Sequence, residues 1–162
     1  MKKRQSGVLM HISSLPGVHG IGSFGQSAYD FVDFLVRTKQ RYWQILPLGT
    51  TSYGDSPYQS FSAFAGNTHF IDLDILVEQG LLEASELKGV DFGSDASEVD
   101  YAKIYYARRP LLEKAVKRFL EVGDVKAFEK FVQDNQAWLE LFAEYMAIKE
   151  HFDNLAWTEW PD

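Results

Sequence analysis

The sequence lacks cysteine altogether, and it is poor in basic residues and in long apolar runs. Without cysteine the chain has neither a disulfide framework nor a thiolate that could ligate a metal or act as a nucleophile, which fits a reducing compartment. Lysine and arginine total 16 against 23 aspartate and glutamate, so general binding of a nucleic-acid backbone is not expected. Because no apolar stretch reaches the roughly 18 residues of a membrane span, we expect a cytoplasmic protein.

What the sequence does contain is enough for one substantial core, since 46% of its 162 residues are hydrophobic. Residues 7–12 and 42–48 are short apolar runs, which predict strands buried on both faces of a parallel sheet. Between them Ser27 is predicted to cap a helix, whose apolar residues recur at helical spacing. These are Ala28, Phe31, Val32 and Leu35. Strand, helix and strand in this order predict a βαβ unit with parallel pairing.

The connection over residues 49–66 is long for a compact domain and rich in aromatic residues, so we predict an ordered binding loop. It follows the second predicted strand, at the edge where α/β folds place their ligand sites. Within it Pro57 restricts the backbone before Tyr58, and the side chains of Asp55 and Ser56 can hold the turn. A flat ring among hydroxyl groups suits a sugar. The alternative is that Tyr58 packs the loop against the core.

Beyond the loop the pattern becomes mainly helical. Residues 68–73 are predicted to be extended, and Asp74 to cap the helix that follows. From Tyr101 onward three helical segments are predicted, with a new helix or a kink at Pro110 and an N-terminal cap at Asn135 for the third. Two βα elements followed by helices do not close an α/β architecture, so we expect the chain to be a fragment of a longer protein.

Three further features of the sequence are weaker evidence of a functional site. Residues 20–25 match G-x-G-x-x-G, but they do not directly follow the first strand, and no acidic residue ends the second strand, so nucleotide binding is not expected. None of the four histidines has the helical spacing of a zinc motif. Asp72 and Asp74 form a carboxylate pair that is better explained by helix capping or solvation.

Four segments, taken in order, resemble the start of the 4-α-glucanotransferases, which are also called amylomaltases or disproportionating enzymes. These segments are residues 14–22, 42–49, 53–67 and 71–73, and the resemblance runs from residue 7 to about residue 82. The helical remainder is compatible with the same family.

The resemblance implies the N-terminal part of a (β/α)8 TIM barrel with an inserted, mainly helical subdomain. Residues 1–72 would supply the first βαβ unit and residues 73–162 most of the insertion, and the rest of the barrel is absent from this chain. It also implies transfer of α-1,4-glucan segments between maltodextrins and to glucose, with retention of configuration through a covalent intermediate. Neither a metal nor an organic cofactor is implied.

The family's binding residues can be assigned to positions of this sequence. The resemblance places Tyr58 against the glucose ring on the donor side of the cleaved bond, with Asp55 and Ser56 shaping that subsite. It places Tyr53 and Tyr105 at a second, non-catalytic glucan site.

The catalytic carboxylates of the family are expected beyond Asp162, so the chain alone is predicted to be inactive. An alternative function is a non-catalytic α-glucan-binding module, and a dinucleotide oxidoreductase is a more distant one. An open sheet edge in such a fragment also predicts self-association.

Overall fold

The computed structural model describes residues 4–161, apart from the side chain of Tyr53. Strands β1 (Gly7–Leu9) and β2 (Tyr42–Gln44) form a two-stranded parallel sheet, and helix α1 (Gln26–Arg37) connects them. The register pairs Gly7 with Tyr42, Val8 with Trp43 and Leu9 with Gln44. The predicted βαβ unit is therefore confirmed.

The two strands are shorter and more exposed than predicted. β1 ends at Leu9, and Ile12 begins a 3-10 turn over Ile12–Ser14. The side chains of Leu9 and Tyr42 are 55% and 59% exposed, so the prediction of burial on both faces is wrong for this chain. The physical reason is that only one face of the sheet is covered. Phe31 of α1 packs on Trp43 at a ring separation of 4.9 Å, whereas the face that carries Leu9 and Tyr42 stays exposed. Within residues 4–161 the sheet has no third strand.

Helix α1 begins after Gly25 and not after Ser27, which lies inside the helix and does not cap it. Gly25 is buried, and a Cβ atom there would lie 1.8 Å from Asp72 Oδ2. The last glycine of the G-x-G-x-x-G pattern therefore permits a close packing contact. The apolar stripe of α1 is also narrower than predicted, because Ala28 and Leu35 are buried whereas Val32 is 43% exposed.

Five further helices follow: α2 (Leu73–Glu78), α3 (Ala84–Leu87), α4 (Tyr101–Val122), α5 (Val125–Asp134) and α6 (Leu139–His151). Short 3-10 turns lie at Tyr53–Asp55, Thr68–Phe70 and Trp157–Glu159. No helix within the described residues combines the length and the apolar character that crossing a membrane requires.

Three local predictions in this region are wrong. Thr68–Phe70 is a 3-10 turn, because the Asn67 side chain accepts a hydrogen bond from the His69 N–H. Asp72, and not Asp74, caps α2, since its Oδ1 accepts from the Ile75 N–H at 3.0 Å.

The third wrong prediction is the N-terminal cap at Asn135. The N-cap of α6 is Trp138, and Asn135 is instead the C-cap of α5. At Pro110 no new helix begins, and α4 runs through it from Tyr101 to Val122.

Helix α4 joins two apolar clusters. The first contains Ile12, Leu15, Ile21, Ala28, Phe70 and Ile104, and the second contains Leu73, Leu82, Phe92, Leu111 and Ala115. Ile104 and Leu111 both lie on α4, so the helical part and the βαβ unit share buried surface. Between them Arg108 is 1% exposed and donates to the carbonyl oxygens of Ile71 and His19.

Candidate functional site

A concave site lies between the 49–66 loop and the helices α4 and α6. It is a cavity of about 680 Å³, called the loop cavity below. The loop side and its continuation contribute Thr50, Thr51, Ser52, Asp55, Phe61, Asn67, Thr68 and His69. The helical side contributes Tyr105, Tyr145, Met146, Lys149, Asn154, Ala156 and Trp157. The exposed surface of the walls is mainly apolar, and several polar side chains, such as Thr50, Asp55 and Lys149, lie among the aromatic rings. Such a combination is typical of small-molecule sites.

The loop is ordered, as predicted, because it is held at both ends and along its length. Gly49 and Gly66 form an antiparallel bridge at its base, and the Asn67 N–H donates to the Leu48 carbonyl at 2.9 Å. Farther out, Phe64 stacks on Trp138 with ring centroids 5.8 Å apart. These contacts fix the loop against the helical part of the chain.

Tyr58 projects from the outer side of this loop. Its side chain is 72% exposed, so the alternative that the ring packs the loop down does not describe this structure. The Ser56 Oγ accepts from the Tyr58 N–H at 3.3 Å and so holds the turn as predicted. Asp55 contributes to the turn through its main chain, whose N–H donates to the Ser52 carbonyl at 3.0 Å.

Asp55 and Tyr105 come together in the walls of the loop cavity, whereas Ser56 and Tyr58 do not belong to the described walls. Asp55 has φ +53° and follows Gly54 at φ +78°, two successive left-handed residues that turn the chain sharply. Partial burial raises the pKa of the Asp55 carboxyl. The predicted site residue Tyr53 has a side chain outside the described residues.

Most of the wall residues are not among the predicted site residues, and three of these with large side chains are Phe61, Lys149 and Trp157. A signal for Lys149 was available, since it falls in the apolar stripe of α6 at the spacing of Tyr145 and Phe152. Trp157 follows α6, lies in the cavity wall and is 67% exposed. Periodicity alone gives no signal for such a residue.

Two of the four histidines hydrogen-bond to other residues through their rings, whereas the buried Nδ1 atom of His69 has no hydrogen-bond partner among the described residues. His19 Nε2 lies 3.0 Å from Asp74 Oδ1, and His11 Nδ1 accepts from the Leu46 N–H at 3.3 Å. The part of the chain that the structure describes contains no group of three or more histidine or acidic side chains suited to a metal ion.

His69 predicts a pH dependence of stability. Burial and, to a smaller extent, the charge of Arg108 lower the pKa of His69 from 6.5 to about 4. The unfolded chain therefore binds more protons than the folded one between these values, and the free energy of unfolding falls as the pH is lowered from 6.5 towards 4. At about 1.4 kcal/mol per pKa unit, we expect a loss on the order of 2 kcal/mol between pH 7.5 and 4.5.

Urea unfolding of the wild type and of His69→Gln at both pH values measures this contribution. The wild type should lose on the order of 2 kcal/mol more than the variant. Glu86, whose pKa the Arg118 hydrogen bond lowers to about 2, acts at lower pH and is common to both proteins. Equal pH dependence in the two proteins would contradict the assignment to His69.

Comparisons with known proteins agree on one family. The family model described as 4-alpha-glucanotransferase matches residues 10–162. The 4-alpha-glucanotransferase of Streptococcus pneumoniae is 94% identical over 162 residues, which are all of this chain and 32% of that protein. The 4-alpha-glucanotransferase of Thermus thermophilus is 44% identical over 161 residues, 98% of this chain and 31% of that protein.

A solved structure gives the same result. The amylomaltase from Streptococcus agalactiae in complex with acarbose superposes with a TM-score of 0.94 at 57% sequence identity. The match covers 99% of this chain and 32% of that one. The chain thus spans about a third of the length of the relatives that it matches.

Proposed function

The chain belongs to the 4-alpha-glucanotransferase family, and from this premise we propose that it supplies the N-terminal third of an enzyme that transfers α-1,4-glucan segments between maltodextrins. The structural observation that carries the proposal is the exposed ring of Tyr58 on a loop held at both ends. An aromatic face that the fold does not bury is available for the apolar face of a sugar.

In the proposed architecture β1 and β2 are the first two strands of a (β/α)8 barrel. Residues 1–72 form its first βαβ unit, and residues 73–162 form most of a helical insertion. The exposure of Leu9 and Tyr42 supports this arrangement, because neighbouring strands and barrel contents would cover the open face of the sheet. The absence of cysteine supports a cytoplasmic location.

The proposed chemistry is a retaining double displacement. One carboxylate attacks the anomeric carbon, while a second carboxylic acid about 5 Å away protonates the leaving oxygen. The second group then takes the proton from the 4-hydroxyl of the acceptor glucan or glucose, while the acceptor oxygen bonds to the anomeric carbon and the bond to the first carboxylate breaks. We assign both carboxylates to positions beyond Asp162, so this chain contributes substrate binding and no catalytic group.

We propose two binding surfaces. Tyr58 would stack on the donor-side glucose, with the Ser56 hydroxyl fixing its main chain and Asp55 shaping the turn. Tyr105 and Asp55 would bind glucan in the loop cavity as a second, non-catalytic site, to which the resemblance also assigns Tyr53. Since the amylomaltase from Streptococcus agalactiae was solved in complex with acarbose, we expect the full-length protein to bind acarbose as well.

The test compares the full-length protein with residues 1–162. On maltotriose the full-length protein should release glucose and form longer maltodextrins, and residues 1–162 should form no product. A titration of residues 1–162 with maltoheptaose, followed by tryptophan fluorescence, then measures binding alone. Binding without turnover by the full-length protein would favour the glucan-binding module, whereas turnover by residues 1–162 would show that the catalytic carboxylates lie in this chain.

A further inference from the structure

Lys149 is a buried cation without a carboxylate partner. It lies in the last turn of α6, its side chain is 8% exposed, and it forms part of the wall of the loop cavity. Among residues 4–161 no acidic oxygen lies within 4.0 Å of its Nζ atom. Burying a charge is costly unless hydrogen bonds or an opposite charge compensate for the lost water. The role of Lys149 can therefore be inferred from the contacts that replace water at its Nζ atom.

Two of these contacts are main-chain carbonyls. Lys149 Nζ donates to the carbonyl oxygens of Asn154 at 2.6 Å and Leu155 at 3.0 Å. In return the Asn154 N–H donates to the Lys149 carbonyl at 2.8 Å. Asn154 is in the left-handed region at φ +63°, so the chain reverses direction here. The ammonium group and the main-chain hydrogen bond thus together hold the turn that follows α6.

The third contact reaches across to the 49–66 loop. Nζ lies over the ring of Phe61, 5.2 Å from its centroid, which is within the range of a cation–π interaction. The same ring lies 6.2 Å from that of Tyr145 on α6. Phe61 therefore packs against α6 through one apolar and one charged neighbour.

Asn154 connects Lys149 to Tyr105, which lies on α4 in another part of the cavity wall. Its Nδ2 donates to the Tyr105 hydroxyl at 3.1 Å. Because Lys149 fixes the main chain of Asn154, it also fixes the amide that orients the phenol of Tyr105. One buried ammonium group therefore connects two aromatic walls, on the loop and on α4, that the sequence separates by 44 positions.

We propose that Lys149 is a positioning residue for glucan binding in the loop cavity: it holds Phe61 directly and the Tyr105 hydroxyl through Asn154. The proposal rests on the proposed function, because it takes glucan as the occupant of the cavity. A site that binds glucan remote from the reacting bond contributes equally to the ground state and the transition state. Loss of Lys149 should therefore raise KM and leave kcat nearly unchanged.

The experiment uses the full-length protein with maltoheptaose as donor and glucose as acceptor. Lys149→Met, which keeps the length of the side chain and removes its charge, should raise KM for maltoheptaose by about 5- to 10-fold with kcat within about 2-fold. Lys149→Arg keeps the cation and should restore part of the loss. Lys130→Met is the matched control, since Lys130 is exposed on α5 and pairs with Asp134; its KM should equal that of the wild type.

A double-variant cycle separates positioning from general destabilisation. Phe61→Leu removes the ring while leaving every buried charge in place, and it should raise KM in a similar way. If the two residues act as one unit, KM of Lys149→Met/Phe61→Leu will be close to that of the more severe single variant; a KM at the product of the two increases overturns the proposal. An unchanged KM in either single variant also overturns the proposal. If Lys149→Met fails to fold, the KM of Phe61→Leu alone decides. Absence of glucan transfer and binding in the wild type would instead refute the proposed function.

Discussion

Replacing Tyr58 by alanine in the full-length protein is expected to lower kcat/KM for transfer from maltotriose by about 10- to 100-fold, which corresponds to about 1.4–2.7 kcal/mol of lost transition-state stabilisation. Aromatic side chains stabilise apolar partners through buried area and ring geometry, and a glucose ring offers them an apolar C–H face. Since Tyr58 is 72% exposed in this structure, its removal costs the fold little. The loss should therefore be functional, with thermal unfolding unchanged.

Two variants show whether the ring itself is responsible. Tyr58→Phe keeps the flat face and should retain most of the transfer rate, which would assign the effect to stacking and not to the hydroxyl. Tyr29→Ala removes a tyrosine that is 65% exposed on α1, outside both proposed binding surfaces, and it should behave as the wild type. Wild-type kcat/KM in Tyr58→Ala would contradict the proposed donor-side role.

The parts of this fold that the sequence predicts are those that depend on local pattern. The alternation of apolar runs and helical spacing over residues 7–48 is enough for a parallel βαβ unit. The aromatic content of residues 49–66 is enough for an ordered loop, because Phe61 and Phe64 have ring partners on the helical side. The pair Gly123-Asp124 predicts a helix end followed by a helix N-cap, and the structure has both, since Gly123 ends α4 and Asp124 caps α5.

The parts that it could not predict depend on neighbours distant in sequence. Asp72 and Asp74 are both suitable N-caps, and the choice of Asp72 follows from its contact with the Ser23 hydroxyl at 2.5 Å. The exposure of the strands depends on which elements pack on each face, which an apolar run does not specify. Asp55 also lines the cavity that contains Tyr105, and the left-handed backbone at positions 54 and 55 has no counterpart in the apolar pattern that could have predicted this.

The second large effect is expected at Ile104, which is fully buried on α4 within the cluster that contains Ile12 and Phe70. Ile104→Ala should lower the free energy of unfolding of the chain by about 3–4 kcal/mol, because the removed carbons leave a cavity that the helix and the βαβ unit can fill only partly. Ile104→Val should cost about 1 kcal/mol. Urea unfolding followed by far-UV circular dichroism and by tryptophan fluorescence measures both changes.

Agreement between the two probes decides how the chain is organised. Far-UV circular dichroism reports mainly the helices. In a background in which Trp138, Trp157 and Trp160 are replaced by phenylalanine, the fluorescence reports Trp43 on β2, within the βαβ unit. If α4 joins the two parts into one core, Ile104→Ala shifts both transitions by the same amount. The matched control is Leu141→Ala on α6, where the side chain is 71% exposed and the expected change is within about 0.5 kcal/mol. A shift in only one probe would show that the parts unfold separately, and the helical segment would then act as an independent subdomain and not as a wall fixed to the loop cavity.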